Sequence, residues 1–512
     1  MHILHLPIEV FDFIMHHCII SRTLPRALRL KLVCKSFRAS FNRVFLHTNM
    51  LDDKKWSKPF RDSERQTRKD HGAATLWHDY LLFRCRQNGE TTTCSPDFSY
   101  LANWVNGIRN AADALLRNRQ EQLGLQHNEA DRDEVIDKLC WLAIDCSRSG
   151  EEVWYGQCRS SDWGNLGLRA LSAATYLGYA PLVRQLLAQG HDPTANDYLF
   201  PSPMYIASRT GQADLLLLMQ ESLHELDGDA LHYQVAWPWR YKIEPESLTG
   251  AAARGDLEMV QLCLYPPSRS IPEEGTSEKR QSLIMGHKPG SVPPLSYLEG
   301  CITRAMIVAR SPEVYEYLNS LLSSPPETPS NLPLENLKVM ARAGNLAMVR
   351  HHLDNDLKSW DEPTLNMALA EAVRSCNIEV VDLLLERGAD PNAWQDSGHT
   401  ILSEAARTGS MVMMRRLVDA GIKVRDSREA QAAFPRDIRA LRHAVKLEHA
   451  AIVELLLDMG AGTRRTRLFV LRMAEKLGLE SMVGLLRSRR IGSGTGGGRV
   501  DEAGEDEGKV EG

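Results

Sequence analysis

The sequence predicts an all-α protein in which a stack of short helix–turn–helix repeats follows a small helical bundle. Three observations carry this. Similar apolar segments recur through residues 168–488 of the 512-residue chain. Glycines punctuate them at a nearly constant interval. Residues 4–50, outside the repeat, hold three short stretches with apolar residues on one helical face.

The repeat is clearest at 369–392 and recurs at 402–421 and 441–461. Earlier copies begin at Leu171, Met204, Leu248 and Leu337, and a shorter one runs from Leu471 to Leu486. A degenerate copy spans 302–318. Gly178 and Gly211 are 33 residues apart; Gly344 and Gly409 are 65 apart, two intervals with Cys376 at the midpoint. Gly211 to Gly255 is 44, so that unit carries an insertion.

The copy at 402–421 shows the local chemistry. Leu402, Ala405 and Ala406 give a first helix with a small-residue face, which lets neighbouring helices approach closely. Thr400 is placed to cap it through its hydroxyl. Gly409 ends it, since glycine takes the left-handed conformation without a Cβ penalty. Met413, Met414, Leu417 and Val418 form the apolar stripe of a second helix, which Gly421 ends. In the preceding copy, Asp390, Pro391 and Asn392 are turn residues. One such unit has no way to bury its apolar face alone, so stability comes from stacking on neighbours.

These segments resemble the ankyrin repeat, whose frame is Leu-x-x-Ala-Ala-x-x-Gly, Val-Val-x-Leu-Leu, then Gly-Ala-Asp-x-Asn, with a period of ~33 residues. The resemblance covers about 168–488 and implies a curved solenoid whose concave face binds protein partners. Pro- and Ser-rich stretches at about 266–296 and 323–333 read as inserted loops. The second holds Ser324-Pro325 and Thr328-Pro329, candidate phosphorylation sites or chance dipeptides.

In residues 1–53, Pro7 stands in the first turn of a helix, where its missing N–H is harmless. Ile8, Phe11, Ile14, Met15 and Cys18 fall on one face of it. A second apolar stretch runs from Leu24 to Val33, and a third helix carries Phe37, Phe41, Val44 and Phe45. The Leu6-Pro7 opening and the run from Leu32 to Arg38 resemble an F-box, a family that docks the adaptor subunit of a cullin–RING ubiquitin ligase. The resemblance implicates Leu6, Pro7, Ile8, Val33, Cys34 and Phe37 in that contact. The combination is similar to fungal F-box/ankyrin proteins. The alternative for this segment is a helical cap over the end of the array.

Residues 54–167 read as helical packing that connects the two parts. Ile108, Ala112, Leu115 and Leu116 form one stripe, and Val135, Ile136, Leu139, Cys140 and Ala143 another. Trp154, Tyr155 and Trp163 fall in a loop-like stretch. Residues 489–512, glycine-rich and acidic, have too little apolar surface to fold. Gly492, Gly494 and Gly497 match a dinucleotide fingerprint by the letter, without the flanking strand and helix that would give it meaning.

Composition excludes several classes. A net charge of −5 lacks the basic excess of a general nucleic-acid binder. No run approaches the ~18 apolar residues of a membrane span, and no signal peptide opens the chain. These features lead to an expectation of cytoplasmic or nuclear residence. The ten cysteines are scattered; Cys140, Cys146 and Cys158 come closest together without a zinc spacing, and read as reduced core thiols. His16-His17 and His351-His352 are adjacent pairs that point ~100° apart on a helix, a poor metal geometry, and read as exposed. No catalytic motif occurs, so neither an enzymatic activity nor a cofactor is expected.

One further pattern concerns binding. Arg209, Arg342, Arg374, Arg407, Lys446 and Lys476 each stand two residues before a helix-ending glycine or its equivalent; Tyr176 and Ala253 break the series. In a regular stack these cations line up as a track for an acidic partner segment. The plainer reading is that each cation stabilises its helix C-terminus by ~0.3–1 kcal/mol. The resemblances together imply a substrate receptor of a ubiquitin ligase, supplying proximity and no catalytic group. The second reading is an ankyrin scaffold with no ubiquitin role.

Overall fold

The computed structural model describes residues 6–20, 27–47, 71–87, 99–124, 129–148, 165–197, 199–222, 246–265, 295–322, 332–355, 360–393, 400–424, 436–462 and 464–491. Cys158, the aromatic cluster at 154–163, Ser324, Thr328, the glycine fingerprint and the segment beyond 491 lie outside them. The described residues form helices and turns without a β-strand. The chain divides into two compact units, Met1–Leu384 and Leu385–Gly512.

The first unit opens with helix α1 (Ile8–Ile20), a 3-10 turn (Arg29–Leu32) and α2 (Lys35–His47). Phe11, Met15 and Ile19 face inward from α1 and meet Phe41, Val44 and Phe45 of α2. Ile8, expected on that inward face, is exposed. The helix buries a narrow stripe, because among the described elements its close partner is α2. A polar cross-link fixes the pair. Asp12 accepts from Arg43 Nη2 at 2.8 Å and from Ser40 Oγ at 2.5 Å. The Arg43 hydrogen bond, opposed by partial burial, holds the Asp12 carboxyl below its usual range.

Helices α3 (His71–Arg86), α4 (Ser99–Leu123) and α5 (Glu129–Arg148) follow. The expected stripes on α4 and α5 are buried. Phe45 meets Tyr80 of α3 edge-on at 6.4 Å, so bundle and connecting helices share one core. Helix α4 packs directly against α6, the first helix of the first repeat. Arg119 lies 5.3 Å from the Tyr179 ring centre, and Asn118 donates to Gln185. The helix that covers this repeat is therefore α4, in the connecting segment, where the cap reading placed residues 4–50.

Six helix pairs complete the unit and its border: α6 (Leu166–Tyr176) and α7 (Ala180–Ala188); α8 (Pro203–Thr210) and α9 (Ala213–Ser222); α10 (Glu246–Arg254) and α11 (Leu257–Leu264); α12 (Leu295–Val308) and α13 (Pro312–Ser320); α14 (Leu332–Ala343) and α15 (Leu346–Asn355); α16 (Glu362–Arg374) and α17 (Ile378–Glu386), which crosses the unit boundary. First helices pack on first helices from α6 through α16, and second helices on second helices from α7 through α15. The degenerate copy at 302–318 is the pair α12–α13.

The second unit holds α18 (Ile401–Thr408), α19 (Met411–Asp419), α20 (Arg436–Lys446), α21 (Ala450–Asp458), α22 (Arg464–Lys476) and α23 (Glu480–Ile491). The same stacking recurs: α18 on α20 on α22, and α19 on α21. Thr400 caps α18 by accepting from Ser403 N at 3.1 Å, and Ser403 Oγ accepts from Thr400 N at 3.0 Å. Gly409 has φ +76°, and a Cβ there would lie 2.6 Å from the His449 ring of the next pair. Met413, Met414 and Leu417 are buried, while Val418 is half-buried. Asn392 N donates to Asp390 Oδ1 at 2.8 Å, the side-chain turn those residues favour.

Candidate functional site

Two surfaces in the first unit and one in the second bear on function. On the N-terminal bundle, Pro7, Ile8 and Val33 are exposed, Ile8 and Val33 by 54% and 60%. Val10 and Phe13 are exposed on the opposite face of α1, Phe13 at 64% and edge-on to His17. Leu6, Cys34 and Phe37 are half-buried. The Phe37 ring sits edge-on to Phe11 at 5.2 Å, so it roots this surface in the core. Of the six residues singled out in the sequence, three are exposed and three half-buried. Phe13 and Val10 were missed; they fall on the α1 face opposite the buried stripe, and their apolar character at polar-side positions was the available signal.

The first-helix cations meet different fates. Arg342 on α14 donates to Glu371 Oε2 of α16 at 2.7 Å, and Arg374 donates to Glu371 Oε1 at 2.6 Å. One half-buried carboxylate thus joins two cations across adjacent repeats. Arg407 donates to Glu404 Oε2 at 2.7 Å, and Glu404 is buried. Arg209 Nη1 donates to the Ala253 carbonyl of the next repeat at 2.5 Å. Lys446 and Lys476 are exposed. Glu371 and Glu404 went unread in the sequence, although each stands three residues before a cation on the same helix, the spacing of an ion pair.

Two buried polar features are structural. Arg169 and Asp197 form an ion pair at 2.5 Å, with 5% and 1% of their side chains exposed. His352 is 2% exposed, where the sequence reading had it on the surface. It lies under the edge of Tyr315 with ring centres 4.7 Å apart, and Nε2 has no hydrogen-bond partner. Burial, with a smaller contribution from His351, lowers its pKa to about 4. The reason is packing: α15 buries one face against α13 and α14, and His352 points into it.

Cys85, Cys140, Cys263 and Cys301 are buried and outside any disulfide; Cys376 is exposed. Burial pushes the Cys263 thiol up to about 12, so it stays protonated. Among the described residues no cluster of three His, Cys, Asp or Glu side chains is arranged to hold a metal. None of the described helices is long and apolar enough to cross a membrane.

No curated protein matches the chain. A family model matches residues 369–467, and the N-terminal bundle and the first five helix pairs lie outside that range. Residues 369–467 match the model for ankyrin repeats in three copies, so the chain carries the repeat that builds protein–protein interaction scaffolds, a fold typically without catalytic activity.

Proposed function

We propose that this chain is a substrate receptor of an F-box-type cullin–RING ubiquitin ligase. The N-terminal bundle docks the adaptor subunit and the repeats hold the target. The observation that carries this is the apolar surface of α1. Pro7 and Ile8 at its start, and Val33 at the end of the 3-10 turn, stand in solvent. Exposed apolar patches rimmed by polar residues mark protein contacts. Leu6, Cys34 and Phe37, each half-buried, are assigned to the same contact. On the repeats, Arg209, Arg342 and Arg374 in the first unit and Arg407, Lys446 and Lys476 in the second are assigned to target contact, each set within its own unit; Lys446 and Lys476 are the exposed charges. The chemistry lies in other subunits; this chain supplies proximity.

The test is a pull-down of the purified adaptor by the full chain, beside Pro7→Ala/Ile8→Asp. Both substituted side chains are exposed, so the variant keeps its fold. Binding that the variant loses supports the receptor. Absent binding by the folded wild type leaves the second reading, an ankyrin scaffold without a ubiquitin role, which the repeat match alone favours.

A further inference from the structure

The charge of the second unit is unevenly placed. Residues 436–490 hold twelve Arg and Lys against six Asp and Glu. On α20, Arg442 and Lys446 are one turn apart on one face; on α22, Arg472 and Lys476 repeat that spacing at the equivalent positions. The two helices pack against each other. The four cations form a grid, about 6 Å along each helix and about 8–10 Å between helices. Lys446, Arg472 and Lys476 are exposed and Arg442 half-buried. Among the described residues, none of the four has an ion-pair partner. The nearby carboxylates are engaged elsewhere: Glu475 takes Arg487 at 2.7 Å, and Glu448 accepts from Ser481 Oγ at 3.4 Å. This differs from Arg342, Arg374 and Arg407, each already paired with a glutamate.

The same chain supplies a complement. Helix α23 ends at Ile491, and the following 21 residues hold Asp501, Glu502, Glu505, Asp506, Glu507 and Glu511 against Arg499 and Lys509. At ~3.3 Å per extended residue, the nine residues from Ser493 to Asp501 span up to about 30 Å, enough to return from α23 over α22 to α20. We infer that the cation grid of α20 and α22 is a binding surface for an acidic peptide and that the chain's own segment 501–511 occupies it, so that a target has to displace this segment. The inference rests on the reading of the first-helix cations as a partner surface. It adds that the surface is self-occupied through an intramolecular, high-effective-concentration contact, and that salt weakens the contact by screening.

Two measurements on the full chain test it. Carbodiimide coupling joins a carboxylate to an amine only in direct contact. At low salt it is expected to link the peptide containing 501–511 to Lys446 or Lys476, with a yield unchanged on tenfold dilution and lost in ~0.5 M salt. Absent links, or links spread evenly to Lys138, Lys338 and Lys423, overturn self-occupancy; yields that fall on dilution assign the segment to a second copy and overturn it equally.

The second measurement is fluorescence anisotropy of a labelled peptide of residues 499–512. It is expected to bind a chain with all six tail carboxylates amidated (Asp→Asn, Glu→Gln) about tenfold tighter than wild type, an effective concentration near 1 mM acting on a contact of ~100 μM. Lys446→Glu/Lys476→Glu is expected to abolish that binding. Equal binding to both chains that still needs the two lysines keeps the partner surface and rejects self-occupancy. Binding to neither rejects both.

Discussion

Asn377 Nδ2 donates to Ala341 O at 2.8 Å and to Arg342 O at 3.0 Å, reaching from the turn of one repeat to the first-helix end of the repeat before it. Helix C-termini leave carbonyls without intrahelical donors, and here the next repeat's amide satisfies them. Gln212 does the same for Thr175 O, and Asn345 for Arg310 O, each at 2.8 Å. The inter-repeat join is thus polar as well as apolar. Asn377→Ala leaves these carbonyls short of a donor and is expected to cost ~1–3 kcal/mol, read as a lower urea midpoint with an unchanged slope.

Two turns carry a side chain in the left-handed conformation that glycine takes at 178, 211, 255, 344, 409 and 478. Cys376 and Glu448 both have φ +56°, in the left-handed region. That conformation strains a residue with a Cβ by roughly 1–2 kcal/mol, offset in part by glycine's larger chain entropy. Cys376→Gly and Glu448→Gly are each expected to raise stability by ~0.5–1 kcal/mol in chemical denaturation. A β-branched Cys376→Val is expected to lower it. Stabilisation by valine would show that the turn is not held left-handed.

The Arg169–Asp197 pair joins the first repeat to the loop ahead of the second, almost out of solvent. Asp197→Ala leaves a buried guanidinium without its counter-charge, and the expected loss is ~3–5 kcal/mol. Replacing both partners with apolar residues recovers much of that, because the surviving charge is then gone too. A double-mutant cycle measures the difference.

His352 makes stability fall in acid. Its folded pKa is about 4, against ~6.5 in an unfolded chain. Between those values the unfolded state binds the extra proton, so stability is full above pH 6.5 and declines as pH drops towards 4. The expected slope from this one group approaches 1.4 kcal/mol per pH unit. His352→Phe removes that component, and the difference between wild type and variant stability measured across pH 4–7 isolates it. An unchanged pH profile would mean that the imidazole reaches water.

The repeats were legible because their signal is local. Gly409, Thr400 and the Met413–Leu417 stripe state helix, cap and face within twenty residues, and Cys376 was placed correctly by counting alone. What the sequence hid depends on neighbours distant in the chain. His352 looked like a surface residue because its burial comes from Tyr315 on the preceding pair. Arg342 looked like free charge because its partner, Glu371, belongs to the next repeat. The role of α4 against α6 was invisible for the same reason: an apolar stripe says that a face is covered and not by what.

The N-terminal bundle remains the centre of the functional account, since Ile8 of α1 and Val33 after the 3-10 turn lie outward at more than half exposure. The most direct measurement is titration calorimetry of the purified adaptor into the full chain and into Ile8→Asp/Val33→Asp, with the unfolding midpoint of each recorded beside it. The account predicts saturable one-to-one binding by wild type, weakened at least a hundredfold in the variant, about 2.7 kcal/mol, with the midpoint unchanged. Equal affinity in the two proteins, or no heat of binding to a folded wild type, would contradict it.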